Sequence, residues 1–142
     1  MISETFFQKG TWLLVIFSLL IIPVLARPKK MQRIATGPWG GQHIQIEVSS
    51  KSGTVEFDCA HGTIEGPLMM DNNGRFSLKG TYAREHGGPV RIDETESGQA
   101  AVYSGSIKAR SMTLTVRLAN QESPIETFVL TQGKAGRIRK CL

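Results

Sequence analysis

From residue 43 onward, apolar side chains recur at every second position, the period at which a strand sends alternate side chains to one face. Ile44, Ile46 and Val48 alternate with Gln45 and Glu47, and Val55, Phe57 and Cys59 with Glu56 and Asp58. A third run, Ile64 to Met70, is interrupted by Gly66-Pro67, and a fourth sets Phe76, Leu78, Gly80 and Tyr82 against Ser77, Lys79 and Thr81. Val90 to Ile92 is a short fifth run. Ala101, Tyr103, Gly105 and Ile107 form a sixth, Met112, Leu114, Val116 and Leu118 a seventh, and Glu126 to Thr131 an eighth. Turn formers lie between them. Ser50–Gly53 and Asp71-Asn72-Asn73-Gly74 are hairpin signals, because Asn and Gly tolerate positive φ. Gly87-Gly88-Pro89, Glu94–Gly98 and Asn120–Pro124 separate the later runs. Short strands joined by tight turns predict an all-β domain over residues 36–132, a small eight-stranded antiparallel up-and-down barrel. Closure removes the exposed edges of such a sheet. A two-sheet sandwich gives nearly the same pattern and is the alternative.

Strand parity selects an interior of Phe57, Phe76, Leu78, Tyr103, Leu114, Leu118 and Phe128. These side chains either surround a cavity for a small apolar ligand or fill the barrel as ordinary core. Following the meander from His43 upward assigns each loop to a pole. Cys59, His61, Arg84-Glu85-His86, the tail with Cys141, and Trp39 with Gly40-Gly41 fall at one end, Trp39 preceding the first strand. The loops Ser50–Gly53, Asp71–Gly74, Glu94–Gln99 and Asn120–Ile125 fall at the other.

Ahead of the strands, Thr11 to Ala26 carries no charge. As a helix this run would rise about 24 Å, short of the ~30 Å hydrocarbon core, which suits a signal peptide. Pro23 breaks the run before a cleavage site, with Val24 and Ala26 at the small-residue positions. Residues 1–26 therefore predict either a cleaved signal peptide or an uncleaved membrane anchor, followed by a basic linker, 27–35. Arg27, Lys29, Lys30 and Arg33 after the run argue instead for a domain left inside the cell. The cysteines weigh the other way, towards a secreted, periplasmic or membrane-tethered domain.

The net charge of +5 and pI of 9.5 suggest nucleic acid until the charge is divided along the chain. The first 35 residues carry +4 and the tail 133–142 another +4, whereas the β domain carries −3. A nucleic-acid surface needs its basic face on the fold, together with stacking aromatics for single strands, so this class is set aside. No loop here cradles a phosphate, and no cofactor motif is present.

Cys59 and Cys141 are the most specific pair. Two cysteines in an exported chain that meet at one pole predict a disulfide, the alternative being two unrelated thiols with Cys59 as a small core residue. A Cys59 nucleophile with His61 as base lacks an oxyanion hole and an orienting third group, so the domain is not read as an enzyme. His43, His61 and His86, with Glu85 or Asp58, contain metal-ligand chemistry but no compact ligand spacing. Parity sends His43 outward with Gln45 and Glu47, so no metal site is favoured and the histidines read as rim residues bonded to loops. Glu56 and Asp58 fall on the outward face, and Arg84-Glu85 is a candidate local ion pair.

Gly37-Pro38-Trp39 resembles the Gly-x-Trp that opens the first strand of lipocalin-like and avidin-like barrels. That resemblance implies a Trp39 that closes the barrel base, an Arg137 or Arg139 that covers it, a late cysteine tying the tail to the barrel, and a cavity mouth at the opposite pole, among the Ser50–Gly53, Asp71–Gly74, Glu94–Gln99 and Asn120–Ile125 loops. Residues 37–142 also resemble a group of small exported bacterial proteins of unknown function. The matching stretches are Trp39–Ile44 (WGGQHI), Val55–Gly62 (VEFDCAHG), Arg84–Pro89 (REHGGP), Met112–Val116 (MTLTV) and Lys140–Leu142 (KCL). The sequence thus leads to an extracytoplasmic, non-enzymatic barrel that binds a small apolar ligand. Its alternatives are an envelope protein-interaction scaffold and metal binding at a His-rich rim.

Overall fold

The structure, a computed structural model, describes residues 28–88 and 98–141. The predicted signal or anchor segment and the run Val90 to Ile92 lie outside these residues. Ten strands follow one another: β1 (Gln32–Arg33), β2 (Gly37–Gly41), β3 (Ile44–Val48), β4 (Gly53–Phe57), β5 (Ala60–Ile64), β6 (Met69–Met70), β7 (Arg75–Arg84), β8 (Gln99–Lys108), β9 (Ser111–Leu118) and β10 (Glu126–Gln132). Eight of them close into a barrel in the order β2-β3-β4-β5-β7-β8-β9-β10, every neighbour antiparallel. The seam joins Leu130 to Gly41 and Gln132 to Trp39. A closed barrel excludes the sandwich, since no sheet edge is left to separate two layers.

The set of eight differs from the one the hydrophobic pattern picks out. Gly37–Gly41 is a barrel strand in its own right, although Pro and Gly are depleted in strands. Ile64 to Met70 is not one strand. Ala60–Ile64 pairs with both β4 and β7, while Met69–Met70 leaves the barrel to pair with Gln32–Arg33. β7 pairs directly with β8, so β8 runs opposite to β7 with no barrel strand between them. Counting Val90 to Ile92 as a strand therefore inverts every later strand. β10 runs towards the Ser49–Ser52 turn, not away from it, and the Asn120–Ile125 loop belongs to the opposite pole.

The inward positions pack into one cluster. Ile44, Ile46, Val55, Tyr103, Leu114, Val116 and Leu130 are fully buried, with Phe57, Phe76, Leu118 and Phe128 nearly so and Leu78 packed against them. Tyr103 lies over Gly80 of the neighbouring strand β7, and its hydroxyl donates to the Thr81 carbonyl at 2.6 Å. It fits because Gly62 lies beneath it: a Cβ there would come within 2.2 Å of the Tyr103 hydroxyl.

One pole is stoppered. The small β1·β6 sheet lies across the end near the Ser49–Ser52 turn, where Arg33 donates to the Ser50 carbonyl. Beneath it Ile34 and Leu68 are buried, the Ile34 amide bonding the Leu68 carbonyl at 2.9 Å. Trp39 is buried in the same cluster, and its indole N–H donates to the Ala35 carbonyl at 3.0 Å. Trp39 therefore lies towards the pole away from the cysteines, contrary to the sequence expectation. The arginines of the tail do not close this end: Arg137 and Arg139 are exposed and are tied through their backbones at the opposite one.

Candidate functional site at the open pole

Among the described residues the opposite end has no such stopper. The turn joining β4 to β5 places Asp58 and Cys59 there, the β2–β3 turn adds His43, the end of β7 adds Arg84 and Glu85, and the start of β10 adds Ile125 and Glu126. These residues surround a cup of about 530 Å³ that opens on Phe57, Tyr82, Val116 and Phe128. The three rings form its floor: Phe57 meets Tyr82 edge-on at 5.3 Å and Phe128 at 5.6 Å. A second hollow of about 300 Å³ shares Tyr82, Arg84 and Ile125 with it.

This cup lies at the pole opposite the mouth predicted at Ser50–Gly53 and Asp71–Gly74. Of the seven interior candidates only Phe57 and Phe128 line the cup directly, with Leu118 in the adjoining hollow. Phe76, Leu78, Tyr103 and Leu114 belong to the core. Tyr82, Val116 and Ile125 were missed as a group, because nothing in strand alternation marks which inward residues end at an open rim.

Cys59 and Cys141 form the disulfide, with Cα atoms 5.2 Å apart across 82 positions of sequence. The tail arrives by a route the sequence does not announce. From the end of β10 at the stoppered pole it descends over the outside of β2 and β3. Arg137 exchanges backbone hydrogen bonds with Gly41 and His43, and the Gly136 amide donates to Gln45 Oε1. Gly40 allows this approach, since a Cβ there would lie 2.3 Å from the Ala135 carbonyl carbon.

At the rim, the histidines divide into carboxylate pairs. His43 has φ 65°, a turn geometry that takes it out of strand alternation and onto the cup wall, where outward parity does not apply. Its Nδ1–H donates to Asp58 Oδ2 at 2.6 Å, while the Arg139 amide donates to Asp58 Oδ1 at 2.8 Å. The amide first, and the His43 ring next, hold the Asp58 carboxyl below its ordinary value. Asp58 therefore lines the cup too, and not the outer wall. His61 is on the outer face of β5, donating to Glu85 Oε1 at 3.0 Å, and Lys140 bridges Glu85 and Glu56. Partial burial pushes Glu85 up, but the His61 and Lys140 hydrogen bonds outweigh it and the carboxyl ends below its ordinary value. Lys140 is raised, chiefly by Glu56. Glu85 thus bonds His61 and Lys140, and the local pair with Arg84 is not formed.

His86 is exposed beyond the end of β7 and is not part of the cup wall. Among the described residues no three His, Cys, Asp or Glu side chains converge as a metal-binding group. With both sulfurs in the disulfide, Cys59 holds no thiolate, and His61 pairs with Glu85. What this arrangement offers is an aromatic floor under a rim of ionisable groups, the usual form of a small-molecule site. The chain matches no family model, no curated protein and no solved structure.

Proposed function

We propose that this is an extracytoplasmic, non-enzymatic barrel that binds a small ligand with an apolar body at its disulfide-bearing pole. The observation that carries the reading is the asymmetry of the two ends. One is stoppered by Ile34, Leu68 and the β1·β6 sheet, and the other leaves the Phe57, Tyr82 and Phe128 rings under a cup of about 530 Å³. That volume falls within the ~300–1,000 Å³ typical of ligand pockets. The ligand is held at the end of the barrel and not along its axis, because the interior beyond the floor is filled by side chains. The disulfide is compatible with an oxidising compartment, and together with the uncharged run Thr11–Ala26 it supports a domain outside the cytoplasm.

The test is titration of the folded protein with a fluorescent lipophile such as anilinonaphthalene sulfonate, in parallel with Ile125→Trp. Ile125 is partly exposed at the lip, so an indole there obstructs the cup without entering the core. Saturable binding to the parent protein, weakened about tenfold or more by Ile125→Trp, is the expected result, equivalent to some 1.4 kcal/mol. Absence of binding, or binding indifferent to Ile125→Trp, rejects the site.

A further inference from the structure

We infer that the stoppered pole is a docking surface for a bilayer rich in anionic lipid headgroups. This does not rest on the cup, which is at the other end of the barrel. Formal charge is segregated by pole. Lys51, Lys108, Arg110 and Lys134 are exposed in and beside the loops at the stoppered end, with Arg75 at the start of β7 and Arg33 in β1. The acidic residues there are fewer: Glu47 and Glu65 are exposed, and Asp71 is buried, its Oδ1 accepting from the amides of Asn73 and Arg75 and its Oδ2 facing Lys29. The open pole, by contrast, holds acidic residues among its basic ones, with Lys140 between Glu56 and Glu85, Asp58 beside His43, and Glu122 and Glu126 between β9 and the start of β10. The sequence-wide charge count hides this surface, because it assigns the basicity to the flanks and the acidity to the domain as blocks.

The path of the chain says what the surface faces. The linker is fixed to this same pole: Lys29 pairs with Asp71 at 3.6 Å, Gln32 and Arg33 pair with Met70 and Met69, and Ile34 is buried. Only residues 27 and 28 separate Lys29 from Ala26, the end of the uncharged run Thr11–Ala26. Those links span at most roughly 10 Å even when extended. Where the run is kept as an uncleaved anchor, the bilayer it enters therefore lies against the basic pole. Juxtamembrane Lys and Arg add to such contact through the negative surface potential of anionic lipids, over about one Debye length. The cup is then carried on the side away from the membrane.

The experiment uses the full chain in two sets of nanodiscs, phosphatidylcholine alone and phosphatidylcholine mixed with phosphatidylglycerol. Lysines are footprinted with an amine-acylating reagent and read by mass spectrometry. In the anionic discs Lys51 and Lys108 are expected to be acylated about fivefold more slowly than in the neutral discs, while Lys79 on the barrel wall and Lys140 at the open pole are unchanged. The protection is expected to vanish in about 0.5 M salt. Arg75→Glu with Lys134→Glu, both at exposed positions, is expected to abolish it with the barrel still folded. Equal acylation in the two discs overturns the proposal, as does protection centred on Lys140. Lysines that stay reactive in anionic discs but are shielded by added duplex DNA would make this a nucleic-acid surface and overturn it as well.

Discussion

Tyr103 shows how much one residue organises. Burial pushes its phenol well above the ordinary value, so the hydroxyl remains a donor at any ordinary pH and keeps its bond to Thr81. Tyr103→Phe removes that bond and is expected to cost about 1 kcal/mol in chemical denaturation. Gly62→Ala is expected to cost more, about 2 kcal/mol or above, because its Cβ meets the Thr81 carbonyl oxygen at 2.3 Å as well as the hydroxyl. Tyr103→Phe in the same chain should not rescue it, since the carbonyl remains. Carboxylates set the acid limit. Asp58, Asp71 and Glu85 all have folded-state pKa values below their ordinary ones, Asp71 chiefly through the Arg75 amide. A depressed carboxyl contributes stability above its unfolded pKa, and that contribution is lost as the pH falls through the folded value. Thermal midpoints are therefore expected to hold from neutrality to about pH 5 and to fall below it. Asp71→Asn should flatten the fall, and an unchanged slope would deny Asp71 that role.

Among the elements, the tail and β2 explain each other. Gly37-Pro38-Trp39-Gly40-Gly41 has no alternation and poor strand propensity, so its membership of the barrel is invisible to periodicity. What the sequence does carry is the reason for its composition: Gly40 yields space to the tail, and Trp39 fills the stoppered end. The disulfide, in contrast, was legible from the cysteine count, although the expected route to a common pole was wrong: β10 ends at the stoppered pole, and the tail brings Cys141 back outside β2 and β3. Its loop of 82 positions predicts a loss of roughly 2–4 kcal/mol for Cys141→Ser. Hydrogen exchange should then accelerate at the Arg137 and Arg139 amides, which bond Gly41 and Asp58. If those amides keep their protection, the tail is held by its backbone contacts alone.

For the molecule as a whole, strand count and class follow from the alternation of Ile44–Val48, Met112–Leu118 and their neighbours, but polarity does not. Alternation is insensitive to direction, so a reading that puts a further barrel strand between β7 and β8 and leaves out Gly37–Gly41 keeps the number of barrel strands right and sets the later loops at the wrong pole. The same slip moved the expected mouth to the end that the β1·β6 sheet covers. His43 was misplaced for a local reason, its positive φ, which no period reports. The corrected polarity gives a barrel whose two ends have separate tasks, and that separation is itself testable. Arg75→Glu with Lys134→Glu changes charge only at the stoppered pole, and Ile125→Trp changes shape only at the open one. The two sites lie at opposite ends of a packed core and share no side chain, and such distant changes add independently. The charge reversal is therefore expected to abolish lysine protection in anionic nanodiscs while leaving the lipophile's affinity within about twofold, and Ile125→Trp to do the reverse. A triple variant should lose both. If reversing the basic pole also weakens the lipophile, the probe is reporting lipid-like adsorption at the charged end, and the cup is not its site.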